Sequence, residues 1–107
     1  MPYNMELEGK IEALIAPGFE KKKMFGGTGY LFKGNMGFGI YRDSLVLRPG
    51  AENAERLLLE KNTRPFDITG RAMKGWLMVD EAGWGDNEKL AAWLDLARAH
   101  ALSLPAK

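Results

Sequence analysis

Cysteine is absent from this chain of 107 residues. Its absence excludes disulfide bonds, thiolate metal sites and cysteine nucleophiles, and it leaves the redox compartment undetermined. Histidine occurs once, as His100, so no second imidazole is present to complete a transition-metal site. The sequence also lacks an apolar run long enough to cross a bilayer and a leader of the signal-peptide type. We therefore expect a cytoplasmic protein with no membrane contact.

Charge of one sign is not in excess either. Fifteen basic and fourteen acidic residues leave a net charge of +1, which gives no global electrostatic reason to bind nucleic acid or an anionic membrane. The apolar share of 46% and the charged share of 27% are typical of a globular protein. The length fits one domain over residues 1–107, built around one core.

Recognisable catalytic motifs are also missing. The only serines, Ser44 and Ser103, lie in a predicted turn and near the end of the chain, outside any nucleophile elbow. The glycine-rich residues 26–39 fit neither the P-loop nor the dinucleotide-binding spacing. The densest group of carboxylates, in residues 80–88, flanks a strand end and a helix start, where capping and solvation explain it. We predict no catalytic residue, no metal ligand and no cofactor.

Alternating aromatic, aliphatic and glycine residues dominate positions 23–47 instead. Breaks at Gly34-Asn35 and at residues 42–44 divide this stretch into short runs, which predicts an antiparallel meander of three or four strands. A preceding strand over residues 19–25 has a lysine-rich middle. Such a strand suits a sheet edge, because edge lysines discourage unwanted pairing between sheets.

The glycines of this meander predict a groove. Met36, Phe38 and Ile40 should share one face of a strand, opposite Gly37 and Gly39. Two glycines on one face leave space beside the backbone. That space can receive a large neighbouring side chain or a close helix backbone, or it can hold a small ligand.

Segments with helical periodicity lie before, between and after the predicted strands. We predict a first helix that Asn4 caps and Pro17-Gly18 ends, a second over residues 51–61, and a third from the N-cap Asp86 to Pro105. The core-facing stripes of the first and last helices are Tyr3, Leu7, Ile11, Leu14 and Ile15, and Leu90, Trp93, Leu94, Ala97, Ala101 and Leu104. Residues 65–75 should form a short extended piece and a long connection, and a strand over residues 76–80 follows, which gives one or two strands before the last helix. The order α-β-β-β-β-α-β-α predicts an α+β domain with an antiparallel sheet of about five strands and helices mainly on one face.

Two basic groups are the candidate contact residues for a protein partner or nucleic acid. They are Lys21, Lys22 and Lys23 in the edge strand, and Arg64, Arg71 and Lys74 in the connection. If the fold brought the groups together they could meet phosphates. Interfaces between proteins favour arginine, methionine and aromatic residues, so Phe25, Met73 and Trp76 are candidate supporting residues.

Several separated motifs resemble the N-terminal domain of the TfoX/Sxy regulators of bacterial DNA transformation. They are Lys23-Met24-Phe25-Gly26-Gly27, Gly29, Gly34-Asn35-Met36, Arg64-Pro65-Phe66, Arg71, Met73, Gly75-Trp76 and Ser103 to Pro105. The family commonly has arginine at the position of Lys23. Lysine keeps the positive charge but lacks the planar guanidinium group that forms paired hydrogen bonds. Full-length regulators carry a second, C-terminal domain, and the resemblance concerns the first domain alone.

The resemblance implies a compact α+β domain and a co-regulator that acts with the cyclic-AMP receptor protein at competence promoters, without a known active site. Two functions follow as hypotheses. One is a non-enzymatic interaction module in transcription regulation; the other is a small-molecule-binding or enzymatic domain that uses the Gly37/Gly39 groove. Self-association as a homodimer is open at this point.

Overall fold

The computed structural model describes residues 5–15, 19–24, 27–67, 70 and 73–105. In chain order the elements are α1 (Met5–Ile15), β1 (Glu20–Met24), β2 (Gly27–Phe32), β3 (Asn35–Tyr41), β4 (Ser44–Leu47), α2 (Ala51–Leu57), β5 (Thr63–Pro65), β6 (Leu77–Val79), α3 (Glu81–Trp84) and α4 (Asn87–Ser103). The strands form one antiparallel sheet in the order β1-β2-β3-β4-β6-β5. The predicted α+β class is confirmed.

The main core lies between one face of the sheet and the helices. It unites residues of α1, α2, α3 and α4 with the strand residues Tyr30, Phe38, Leu45 and Leu77. Helix α4 begins as predicted, because the Asp86 side chain accepts hydrogen bonds from the backbone N–H groups at positions 88 and 89. Its predicted stripe is buried, except that Leu104 is half-buried and caps the helix.

The other helices differ from the prediction in detail. Leu14 of α1 is 47% exposed and does not belong to the core stripe. Helix α2 ends at Leu57 rather than at residue 61, because the Thr63 hydroxyl donates to the carbonyls of Leu57 and Glu60 and turns the chain. Residues 63–65 then pair with β6 as an additional short strand. The predicted cap Asn4, Tyr3 and the break Pro17-Gly18 lie outside the described residues.

A β-bulge divides the residues of β3 between the two faces of the sheet. Tyr30 pairs with Phe38 and Leu31 pairs with Met36, so Gly37 has no partner in β2. The prediction that Met36 shares a face with Phe38 and Ile40 is therefore wrong. Met36 packs instead in a second cluster on the opposite face, with Val46, Phe66 and Met78.

The same bulge removes the predicted Gly37/Gly39 groove. A Cβ atom on Gly37 would lie 3.3 Å from the carbonyl oxygen of Ala97 in α4, so this glycine admits a close helix backbone. A Cβ atom on Gly39 would collide with the carbonyl oxygen of Thr28 and lie 2.9 Å from the Met36 Cε atom. The two glycines thus face different neighbours, and both are buried. No ligand groove runs between them.

The second face of the sheet is covered in part by residues that follow β5. Phe66 is buried against the second cluster, and Trp76 stacks on Phe66 with 5.1 Å between ring centroids. Trp76 itself precedes β6 and is only half-buried, so the predicted strand over residues 76–80 is shorter than expected. In the described ranges, no helix has both the length and the apolar character needed to cross a bilayer.

Candidate interaction site

Lys21, the first predicted contact residue, forms ion pairs within the domain. Its Nζ atom lies 2.6 Å from Glu8 Oε2 and 2.7 Å from Glu12 Oε2 on α1, and the Tyr30 hydroxyl also donates to Glu12. Partial burial acts to lower the pKa of Lys21, but the hydrogen bonds and charges of the two glutamates outweigh it and raise this pKa above the usual value of 10.5. This lysine therefore ties β1 to α1.

Replacing Lys21 with methionine should lower the free energy of unfolding by about 1–2 kcal/mol, because two neighbouring carboxylates lose their shared cation. Since the folded pKa is raised, the stabilisation is present below the usual pKa of 10.5 and is lost only as the pH rises through the folded pKa. Urea unfolding measures the loss, and Lys22→Met is the matched control in the same strand. Equal stability of the two variants would contradict this role for Lys21.

Among the described residues, the lysines of the first predicted basic group lie far from Arg64 of the second. Lys22 and Lys23 are exposed on β1, which is the terminal strand on one side of the sheet, and Arg64 lies on β5 at the other side. Five strand spacings of about 4.8 Å separate these edges by roughly 24 Å. The described residues therefore hold these cations on separate surfaces.

The Arg64 side chain also has partners within the domain. Its guanidinium donates to Asp80 Oδ1 at 3.0 Å and to Ser44 Oγ at 2.7 Å, and Nη1 lies 3.8 Å from the Met78 sulfur. These contacts connect β5 to β6 and β4 across the second face of the sheet. Of the remaining predicted contact and supporting residues, Arg71 and Phe25 lie outside the described residues.

Met73, Lys74 and Trp76 do come together, in a groove beside α2. The groove has a volume of about 350 Å³. Its remaining lining residues come from α2, the turn that follows it, the end of β5 and the segment before β6: Ala51, Ala54, Glu55, Leu58, Pro65 and Gly75. We call this feature the α2 groove.

Local backbone contacts shape the outer wall of the α2 groove. The Met73 N–H donates to the Phe66 carbonyl at 3.0 Å, and the Trp76 N–H donates to the Met73 carbonyl at 3.2 Å. Gly75 has a φ of +90°, which permits this tight turn beside the first residue of α2. The Arg48 guanidinium lies 5.5 Å from the Trp76 ring centroid and, with Phe66, fixes the indole.

The α2 groove carries few charged groups. Most of its lining is apolar, with one carboxylate, Glu55, and one ammonium group, Lys74. Leu59, just past the end of α2, is 88% exposed and lines a neighbouring depression together with Glu52, Glu55 and Arg56. The part of the chain that the structure describes contains no group of three histidine, aspartate or glutamate side chains placed to hold a metal ion. A groove of this size can receive a large apolar side chain.

The α2 side of the groove was not identified from the sequence. Ala54 and Leu58 fall on the apolar stripe of their helix, and that stripe predicts burial in the core. In the structure Leu57 enters the core, whereas Leu58 is half-buried at the groove. The available signal was the run of three leucines at positions 57–59, which is wider than one core-facing stripe.

The structure is an α+β domain with its helices on one face of the sheet and an apolar groove at its surface. The family model for the TfoX N-terminal domain matches residues 13–101, so the chain belongs to that family. The family supports a regulatory or interaction role related to competence, and it is not known for enzymatic activity. Comparison with curated proteins and with solved structures gave no significant match.

Proposed function

We propose that this domain is a transcriptional co-regulator of competence genes that binds a protein partner through the α2 groove. The observation that carries the proposal is the meeting of Met73, Lys74 and Trp76 with the apolar wall of α2. Methionine and tryptophan are enriched at interfaces between proteins, and tryptophan is frequent among the residues that dominate binding energy. The family relationship supports the regulatory role.

The distribution of cations favours a protein partner over direct binding to DNA. Lys21 and Arg64 are paired with carboxylates, and the exposed Lys22 and Lys23 lie at the opposite edge of the sheet from Arg64. Affinity for DNA grows with the number of phosphates that one surface neutralises. Scattered or paired cations supply few such contacts.

The partner that the family suggests is the cyclic-AMP receptor protein. We infer that it inserts a large apolar side chain between α2 and Trp76, with polar groups around it that complement Glu55 and Lys74. Leu59 then contacts the rim of the partner. In this arrangement the receptor supplies the contacts to DNA, and the domain modulates the receptor.

Fluorescence anisotropy of a labelled duplex with a receptor site tests the proposal. The domain is titrated alone and in the presence of the receptor with cyclic AMP, at two salt concentrations. We expect no binding by the domain alone and a further rise in anisotropy when the receptor is present. Met73→Glu places a charge in the groove and should weaken this response about tenfold or more.

Met5→Glu is the matched control, because Met5 is an exposed methionine on α1, away from the α2 groove. It should leave the response unchanged. Binding of the domain alone that weakens steeply with salt would overturn the proposal in favour of direct DNA contact. Equal behaviour of the two methionine variants would show that the partner does not use the groove.

A further inference from the structure

The two edges of the sheet are protected to very different degrees. At one edge β5 has three residues, ends in Pro65 and is tied to β6 and β4 through Arg64. Proline and short length are devices that prevent an edge strand from pairing further. At the other edge β1 has five residues without proline, and positions 20–23 are all exposed. Among the described residues, no strand pairs with its outer side.

Strand β1 is nevertheless held in a fixed position. Its five residues pair with β2 in continuous register, and Lys21 binds Glu8 and Glu12 of α1 from the helix-covered face. In an antiparallel ladder, alternate N–H and C=O groups of such a strand point away from its partner. The outer side of β1 is thus a preformed row of donors and acceptors.

We propose that the outer edge of β1 binds an extended, acidic segment of another protein by β-strand addition. This inference is independent of the α2 groove. Main-chain hydrogen bonds would provide the affinity, and side chains next to the strand would provide the selectivity. Lys22 and Lys23 are exposed and take part in no ion pair within the described ranges, so their charges are available to such a segment.

The charges of β1 define the sequence of an antiparallel partner strand. Read from its N-terminus, the added strand meets Lys23, Lys22, Lys21 and Glu20 in turn. Acidic residues suit the first two positions and a basic residue suits the fourth, because opposite charges across a ladder attract. The third position suits an uncharged residue, since the charge of Lys21 is already satisfied by α1. The motif is acidic, acidic, uncharged, basic.

Two other occupants fit less well. A second copy of β1 paired about Lys22 would place Lys22 opposite Lys22 and Lys21 opposite Lys23, and like charges directly opposite are destabilising. Nucleic acid would need several cations on one surface. Lys22 and Lys23 are consecutive strand residues and point to opposite faces, as the side chains of an added strand also do.

A blocked peptide of sequence VTEEVKTV is the probe. It is titrated into the isotope-labelled protein at low ionic strength, and the amide NMR spectrum is followed. We expect the largest shifts at residues 20–24, slower exchange of the outward amides of β1, and cross-strand contacts in the order given above. The variant with Lys22→Glu and Lys23→Glu should bind about tenfold more weakly, as two charge pairs reverse sign.

Lys61→Glu with Lys89→Glu makes the same charge change at exposed positions off β1 and should bind as the parent does. The same peptide N-methylated at two consecutive central residues keeps its charges but cannot complete the ladder, and it should not bind. Equal binding of the methylated peptide, or shifts spread over the lysines outside β1, would overturn strand addition. Absence of binding by the probe, or a dimer formed through β1 alone, would equally refute an acidic partner segment. None of these outcomes depends on the α2 groove.

Discussion

Gly39→Ala should lower the free energy of unfolding by about 3 kcal/mol or more. The added Cβ atom would collide with the backbone carbonyl of Thr28, and the neighbouring Met36 Cε atom would lie 2.9 Å away. A backbone atom in a paired strand cannot move aside as a flexible side chain can, so β2 and β3 must separate locally. Chemical denaturation followed by circular dichroism measures the loss.

Gly9→Ala is the matched control for this substitution. Gly9 lies in α1, and apart from its chain neighbours and the backbone of its own helix no atom lies within 4 Å of an added Cβ, so alanine should stabilise the protein by about 0.5–1 kcal/mol through its helix propensity. Opposite signs for the two glycine variants would support the close contact between β2 and β3. A stable, fully folded Gly39→Ala protein would contradict it and restore a groove at this position.

Trp84→Ala should cost about 3–5 kcal/mol, which is a large part of the stability of a small domain. Trp84 has 0% exposure in α3, and its indole N–H donates to the Asp43 carbonyl at 2.8 Å. The truncation leaves a cavity between α3, α4 and the sheet, and it removes the donor that holds the turn between β3 and β4. Thermal and urea unfolding report the effect.

Two further tryptophan variants separate the contribution of the Trp84 hydrogen bond from that of its buried volume, and the contribution of Trp84 from that of Trp76. Trp84→Phe retains most of the apolar volume and should lose less stability than the alanine variant, mainly through the missing hydrogen bond. Trp76→Ala should cost only about 1–2 kcal/mol, because this indole is half-buried between the second cluster and the α2 groove. If Trp76→Ala destabilised the protein as much as Trp84→Ala, Trp76 would be a core residue and a poor contact candidate.

Helix α4 and the meander could be predicted from the sequence because their signals are local. Asp86 caps the helix three residues before Lys89, and the apolar stripe that follows repeats at helical spacing. The bulge at Gly37 was missed because it depends on the register between β2 and β3, which periodicity within one strand does not encode. Strand β5 was predicted only as a short extended piece from residue 65 onward, because three residues are too few to give an alternating pattern.

The candidate site was only half predictable for a similar reason. Met73, Lys74 and Trp76 lie close in sequence, so a local grouping of interface residues found them. The wall formed by Ala54 and Leu58 comes from a helix whose apolar residues are divided between core and surface by tertiary packing. The engagement of Lys21 by Glu8 and Glu12 likewise depends on how α1 crosses β1. Neither follows from spacing along the chain.

Fluorine NMR of the fluorotryptophan-labelled domain, on addition of the cyclic-AMP receptor protein with cyclic AMP, tests the proposed interface most directly. The three tryptophans should give separate signals, because Trp84 and Trp93 are buried with 0% and 5% exposure, whereas Trp76 lines the α2 groove. Complex formation should broaden all three signals and shift that of Trp76 alone. Broadening without a shift of Trp76 would contradict binding through the groove, and no change in any signal would contradict the proposed partner.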